Sequence, residues 1–437
     1  MTLTTQGAPR RSPSPLDALN YYQATAHPYA PFLALEGDLS VDAIVIGAGF
    51  TGLSAALELR AKGMTVAVLE AQTIGWGATG RNGGQICTGY SPGMEKFEKA
   101  LGRADAQVCF DIAEEAKALL VSRIQRFAID CDLTWGYLVA AARPGQLKGL
   151  EEEQAQLRSY GYDKTSILTK AEFEQRVGSK IYHGALADRG AGHFHPLNYA
   201  IGLAEAARKA GAQIFEHTPA LAVEDGAPAK VRTPRGTVTA KAVIVACNAY
   251  LGRLLPEAAS KIMPVASYVV ATEQMDAARA ATIMRTRDAV ADANFVVDYF
   301  RMTVDNRLLF GGRCSYSGID PKDLAANMRP RILKVFPQLG DVKIDYAWGG
   351  YIAITHNRLP DARRIGKAIY YTQGYSGQGV VLSNIFGKMM AEAVAGEASR
   401  FDIFSKIRHA PFPGGAMLRR PALTLGMLYY RVRDLVS

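Results

Sequence analysis

The stretch "VDAIVIGAGFTGLSAALELRAKGMTVAVLE", residues 41–70, decides the fold. Val41 to Ile46 is a short apolar run that stops at glycine, the pattern of a buried strand. From Thr51 to Lys62 the residues are good helix formers. Leu53, Ala56 and Leu57 share one face, and Gly63 stands as the stop signal. Thr65 to Leu69 reads as a second buried strand, so the segment is a βαβ unit. Its first turn, Gly47-Ala48-Gly49-Phe50-Thr51-Gly52, is G-x-G-x-x-G. The first glycine allows a tight turn, the second lets a pyrophosphate approach the backbone, and the third lets helix and strand pack closely. The helix N-terminus offers free N–H groups and partial positive charge to phosphates. Glu70, followed by Ala71, ends the second strand and is placed to accept hydrogen bonds from ribose hydroxyls. An acid there repels a 2′-phosphate, which disfavours NADP.

The continuation, "AQTIGWGATGRNGGQ" at 71–85, separates NAD from FAD. A nicotinamide fold has no obvious use for this glycine-rich extension. Extended FAD does, because its isoalloxazine lies far from the adenosine and needs bare backbone beside the ring. Gly77, Ala78, Thr79, Gly80, Gly83, Gly84 and Gln85 supply that backbone, with Arg81 and Asn82 as hydrogen-bond donors. A second cluster, Gly374-Tyr375-Ser376-Gly377-Gln378-Gly379-Val380, lies between a strand at Ile369–Thr372 and a helix from about Leu382. A helix N-terminus aimed at a flavin edge favours the negative charge of reduced flavin, by about 0.3–1 kcal/mol. Two such loops at opposite ends of the chain suit one long ligand held between them.

The rest of the chain fits an α/β protein with an α+β substrate domain. Its 437 residues exceed one compact core. We expect an N-terminal arm over 1–35, read as flexible from its Pro/Ser-rich start. A dinucleotide-binding domain is assembled from 36–95, 185–255 and 356–405. A substrate domain is built from 96–184 and 256–355, and a tail helix covers 406–437. Residues 105–129 read as a helix, and 197–217 as a helix ending in Gly211 followed by a strand. A hairpin turns near Pro234-Arg235-Gly236. From about 262 to 355, strands rich in Val, Tyr and Phe predict an antiparallel sheet with one helix near 321–336.

Composition excludes other classes. The net charge is +9, but Lys and Arg are dispersed and no nucleic-acid motif accompanies them. Five cysteines, with no C-x-x-C spacing, argue against a disulfide framework and for a reducing cytoplasm. The N-terminal sequence has no apolar core of signal-peptide length. No apolar run is long enough to span a bilayer. "PALTLGMLYY" at 421–430 reads as a packed C-terminal helix, with peripheral membrane contact as its alternative. His193 and His195 lack a Cys or acidic partner at ligand spacing, so no metal is expected.

These motifs resemble the D-amino-acid-oxidase superfamily of FAD enzymes, which also contains glycine and sarcosine oxidases. "IGWGATGRNGGQ", "WGGYIAITHNRLPDARR", "GYSGQGV" and "FPGGAMLRRPAL" are most similar to its gamma-glutamylputrescine oxidase group. The resemblance runs from about Tyr21 to near the C-terminus. It implies a discontinuous FAD domain roofed by an antiparallel sheet. It also implies an adenosine side lined by Ala220–Ala222, including Leu221, and by Ala246–Asn248, including Asn248. The implied reaction is oxidation of a C–N bond. Flavin takes a hydride, water hydrolyses the imine to release ammonia, and oxygen reoxidises the flavin to give hydrogen peroxide.

Candidates beside the reacting face are Trp348, Tyr351, Arg313 and His356, with Gly350 against the flavin. Trp348 and Tyr351 have a core role as their alternative, and His356 a structural hydrogen bond. Sarcosine oxidases tether flavin through a Cys in the strand that here carries Gly349-Gly350, so non-covalent FAD is expected. They also hold the substrate carboxylate with a Lys just after the second loop. Here the run is Val380-Val381-Leu382, which favours an amine substrate. A D-amino-acid or N-methyl-amino-acid oxidase or dehydrogenase stays open, as does a non-enzymatic flavin protein.

Overall fold

A computed structural model describes Pro15 and residues 18–294, 296–315 and 320–412, with the side chains of 313–315 outside that description. Two sheets organise the chain. The first has the strand order Asp361–Ile365, Ile369–Gln373, Gly236–Val245, Leu39–Ile46, Val66–Leu69, Gln213–Phe215. Its last five strands run parallel. They are nearly continuous apolar runs, as strands covered on both faces must be. Ala43, Ile44 and Val45 are fully buried. The helix Phe50–Ala61 follows the first parallel strand and packs against Gly379–Val394. The hairpin Ala229–Thr233/Gly236–Val245 turns where expected.

The second sheet has nine strands. Its roof is the antiparallel set Ile344–Thr355, Ile262–Thr272, Leu308–Ser315 and Tyr299–Met302. The strands within 262–355 pair antiparallel as expected, and the wider sheet adds one parallel pair, Ala289–Asp292 with Thr134–Ala140. Those two strands come from the separated segments of the substrate half, so no hairpin forces them antiparallel. Two further strands depart from the expected division. Gln85–Ile86 and Gly184–His193 fall within stretches assigned to the dinucleotide-binding domain, yet both bond into the second sheet. The glycine-rich extension therefore runs from one sheet directly into the other.

Helices stand at Arg103–Arg126, Pro196–Lys209 and Leu324–Val335, close to expectation. The arm is not loose from Asn20 onward. Tyr21 and Tyr22 are buried in a short helix. The fully buried Glu216 accepts hydrogen bonds from the Tyr29 hydroxyl at 2.7 Å and the Phe32 amide at 2.9 Å. Apolar burial and this carboxylate fix a segment whose Pro/Ser-rich start reads as flexible. The tail is not helical over 406–412, and the stretch at 421–430 lies outside the described residues. Among the described residues no helix is long and apolar enough to cross a membrane.

Candidate active site

Two cavities meet between the sheets. The first, about 390 Å³, is lined by Gly47, Gly49, Phe50 and Thr51, by Glu70 and Ala71, and by Gly77, Ala78 and Thr79. Ala246, Asn248, Tyr375, Gly379 and Val380 complete its expected wall. The second, about 730 Å³, takes Arg81, Gly83, Gln85, Gly350, Tyr351 and Gln378. Asn82, Ser376 and Gly377 border both.

The fingerprint turn behaves as its spacing demands. Gly47 has φ +102°, a conformation L side chains rarely adopt. A Cβ at Gly52 would overlap the Gly47 carbonyl oxygen, so this glycine sets the helix-to-strand approach without touching the cavity. Ala48 also stays off the wall, and its amide donates to Glu70 Oε2 at 2.8 Å. Glu70 Oε1 accepts from the Gln72 amide at 2.9 Å. Each oxygen keeps a second lone pair, the capacity a ribose hydroxyl would use. Burial pushes the Glu70 carboxyl above its ordinary range. Neither cavity-facing helix has a side-chain cap: Gly49 caps Phe50–Ala61 and Gln378 caps Gly379–Val394. At the first, the Phe50 amide is taken by Thr79 Oγ1 at 3.2 Å, and the remaining amides of both first turns are left for a ligand's oxygens.

At the junction, the Arg81 Nε donates to the Trp76 carbonyl at 2.7 Å and its Nη1 to the Gly349 carbonyl at 3.2 Å. Arg81 is nearly fully buried and lies 4.9 Å from the Trp76 ring centroid. Asn82 Oδ1 accepts from the Gly84 amide at 2.7 Å, which ties the loop to itself. Gly84 packs against the Phe194 carbonyl, outside both cavities. Gly374 is likewise set back, with its amide on Asn248 Oδ1 at 3.0 Å.

Three side chains expected at the site fall elsewhere. Trp348 is fully buried, lines neither cavity, and packs edge-on against Tyr22. Its polar edge supports the loop and cannot reach a substrate in the cavity. His356 is exposed, with its ring 6.1 Å from that of Phe412, because it sits in the turn after the strand. Leu221 is 60% exposed, and the wall there is made by Pro219 and Ala220. The Arg313 side chain lies outside the described residues. His193 and His195 serve structure. His193 Nε2 lies 2.8 Å from the Arg287 carbonyl, and His195 Nδ1 caps the helix Pro196–Lys209 through the Asn198 amide at 3.1 Å. Burial lowers both imidazoles to about 3.

Other wall residues carry no obvious signal in the sequence. The Tyr250 hydroxyl accepts the Tyr351 amide at 3.0 Å, and its ring meets those of Trp76 and Tyr351. Trp76 stands inside the glycine-rich extension, and Tyr250 is two residues beyond the expected Ala246–Asn248 segment. Arg301, buried off the cavity, donates to the Gly83 carbonyl at 2.8 Å and the Tyr22 hydroxyl at 3.1 Å. Glu153, Asp188 and Asp292 bring carboxylates to the second cavity.

This arrangement suits an elongated dinucleotide: a glycine cradle, two uncapped helix ends, a carboxylate at the far end and bare backbone at the near end. The family profile for DAO-type FAD-dependent oxidoreductases matches residues 42–393. The chain belongs to this family. FAD is its cofactor, and the first cavity's residues fit the group. The chain is 43% identical to the gamma-glutamylputrescine oxidoreductase of Escherichia coli K12, over 95% of this chain and 98% of that protein. It is 25% identical to the glycine oxidase of Geobacillus kaustophilus, over 84% of this chain and 97% of that protein. The crystal structure of glycine oxidase from G. kaustophilus superposes with a TM-score of 0.71 at 23% identity, covering 85% of this chain and 100% of that chain. As a DAO-family member, the chain is an FAD-dependent oxidoreductase acting on amine C–N groups.

Proposed function

We propose that this enzyme is an amine oxidase of the gamma-glutamylputrescine type. It oxidises the C–N bond of a primary amine on an extended chain. The resulting imine hydrolyses to an aldehyde and ammonia, and oxygen, the second substrate, leaves as hydrogen peroxide. One observation carries the reading. The large second cavity opens from the flavin loops, and the residue facing it after the second loop is Val380, where a carboxylate clamp needs a cation. The identity to the E. coli gamma-glutamylputrescine oxidoreductase supports the same substrate class.

When bound, flavin supplies the hydride acceptor for the carbon bearing the amine. The protein's part is to bind, orient and exclude water. Gly47, Gly49 and the N-terminus of Phe50–Ala61 would hold the phosphates, the N-terminus of Gly379–Val394 would face the flavin edge, and Glu70 would hold the ribose. Arg81, engaged with two backbone carbonyls, would keep Gly83 and Gly350 in place on either side of the junction. Val380 and Tyr351 would present apolar surface to the substrate's methylene chain.

The cofactor is held non-covalently in this reading. Gly349 and Gly350 offer no thiol, and burial pushes the Cys87 thiol at the cavity wall up to about 11. A neutral thiol is a poor nucleophile. Acid precipitation should leave FAD in the supernatant. A cytoplasmic location is part of the same proposal, with Cys87, Cys109, Cys131 and Cys247 present as free thiols.

The test is kcat/KM, with oxygen consumption and peroxide measured together, for gamma-glutamylputrescine, putrescine, sarcosine and D-alanine. Gamma-glutamylputrescine should lead. Sarcosine or D-alanine clearly ahead would replace this reading with an amino-acid oxidase. Turnover with a dye but not with oxygen would make the enzyme a dehydrogenase.

A further inference from the structure

We infer that Arg301 is a positioning residue for the cofactor. It turns the Gly83 carbonyl out of the second cavity and holds a buried positive charge behind the flavin loop, and both favour reduced FAD. The inference rests on the family's cofactor and on no choice of substrate.

Arg301 stands on the short roof strand Tyr299–Met302. Alternation sends Tyr299 and Arg301 to one face and Phe300 to the other, where Phe300 packs in the substrate-half core. The first two close on Gly83. A Cβ at Gly83 would lie 2.7 Å from Tyr299 Cε2, so the ring sits against bare backbone at the cavity wall. Arg301 approaches from behind. It is 4% exposed, lines neither cavity, and its Nε donates to the Gly83 carbonyl at 2.8 Å. That carbonyl therefore points away from the cavity. The next amide, that of Gly84, is taken by Asn82 Oδ1 at 2.7 Å. The Gly83–Gly84 peptide is thus pinned at both of its polar ends. The pins matter because two glycines leave the peptide plane free to turn, and Gly84 already stands at φ +72°. A flipped plane would aim the carbonyl to the Asn82 side, where the wall borders both cavities.

The other partners of Arg301 are neutral as well. Its Nη2 donates to the Tyr22 hydroxyl at 3.1 Å and to the Phe194 carbonyl at 3.3 Å. Among the described residues no carboxylate pairs with it. Asp132, whose carboxyl burial raises, feels the charge without forming a pair. Burial, and after it this same charge, hold the imidazoles of His193 and His195 at about 3, so both stay neutral. A guanidinium keeps its proton at any working pH. With neutral partners and little water around it, its field is weakly screened. One peptide separates it from the cavity wall. Negative charge that arises on the cofactor on reduction is favoured by this field, and would be opposed by a carbonyl oxygen turned inward.

The test reads a potential. The midpoint potential of bound FAD is measured by equilibration with a reference dye in the wild type, Arg301→Gln and Arg301→Lys. Gln is neutral and can still donate to the Gly83 carbonyl, whereas Lys keeps the charge. Arg301→Gln should bind reduced FAD about tenfold more weakly relative to oxidised FAD, which is a fall of about 30 mV for a two-electron couple. Arg301→Lys should stay at the wild-type potential. Both variants should melt lower, because neither satisfies all three acceptors, so melting does not decide. An unchanged potential in Arg301→Gln, or an equal fall in both variants, would reduce Arg301 to a structural brace and overturn the assignment. If Arg301→Gln does not retain FAD, Arg301→Lys decides alone. The wild-type potential there supports the assignment, and a lowered one overturns it. No outcome depends on which amine is oxidised, so the substrate reading is tested apart.

Discussion

The indole Nε1 of Trp348 donates to the backbone carbonyl of Arg81 at 3.0 Å, and Arg81 returns a bond to the carbonyl of Gly349. This reciprocal pair ties the strand Ile344–Thr355 of the second sheet to the glycine-rich loop of the first. It gives Trp348 a bracing role and explains a guanidinium among glycines, because the charge is spent on holding bare backbone in place. Trp348→Phe keeps the ring and removes the donor. An unsatisfied buried carbonyl costs about 1–3 kcal/mol. The variant should melt lower in both apo and FAD-loaded forms and bind FAD more weakly. An unchanged melting temperature with a lowered kcat would instead place Trp348 in the chemistry.

Gly49 tests the fingerprint. A Cβ there would lie 2.8 Å from Thr79 Oγ1, which accepts the Phe50 amide at 3.2 Å. Gly49→Val therefore pushes a side chain into the first cavity and disturbs the first helical turn. The purified variant should have lost its flavin absorbance while keeping its far-ultraviolet circular dichroism. Full FAD occupancy would show that the pyrophosphate does not lie against Gly49.

The FAD half was legible because its signals are local. G-x-G-x-x-G and Glu70 act within one βαβ unit, and the second loop lies at the start of its own helix. The substrate half was much less legible, because its site is made by distant segments. Arg301 reaches Gly83 from another strand, with no spacing rule to announce it. One misreading was avoidable in principle. Trp348 and Tyr351 are three residues apart on one strand, so regular alternation sends them to opposite faces. Tyr351 lines the cavity, whereas Trp348 enters the core against Tyr22. His356 was misplaced for another reason, since its motif continues past the strand's end into an exposed turn.

Asp292 supplies a pH test. Burial, with the charge of Asp298 adding, raises its carboxyl from 3.8 to about 7. Its Oδ1 accepts amides of Asn294 and Asp298, which order the loop at the cavity edge. A carboxyl raised in the folded state favours folding when protonated. That contribution is complete below pH 3.8 and is lost as pH rises through about 7. Its upper size is on the order of 4 kcal/mol. Melting temperatures of wild type and Asp292→Asn, compared from pH 4 to 8, should diverge in slope, with the wild type losing ground as pH rises. Parallel curves would show that Asp292 titrates normally.

The last prediction adds a charge at the junction. Of the three residues after the second loop, Val381 and Leu382 are buried and line neither cavity, while Val380 lines both. Val380 is therefore the position from which a side chain can meet the reacting end of a substrate. Val380→Lys would bring an ammonium to that point. A small amino acid would gain a charge-assisted partner for its carboxylate, worth about 1.5–3 kcal/mol, or roughly one to two powers of ten in affinity. A primary ammonium approaching the same point would meet like charge. The variant should raise kcat/KM for sarcosine or D-alanine relative to gamma-glutamylputrescine by about ten- to hundredfold, mostly through KM. The flavin spectrum should report that the cofactor is still bound, because Val380 contributes a side chain to the wall and not to the glycine cradle. If the ratio does not move while FAD stays bound, the carboxylate of a small amino acid is not positioned at Val380, and the argument from the absent clamp fails.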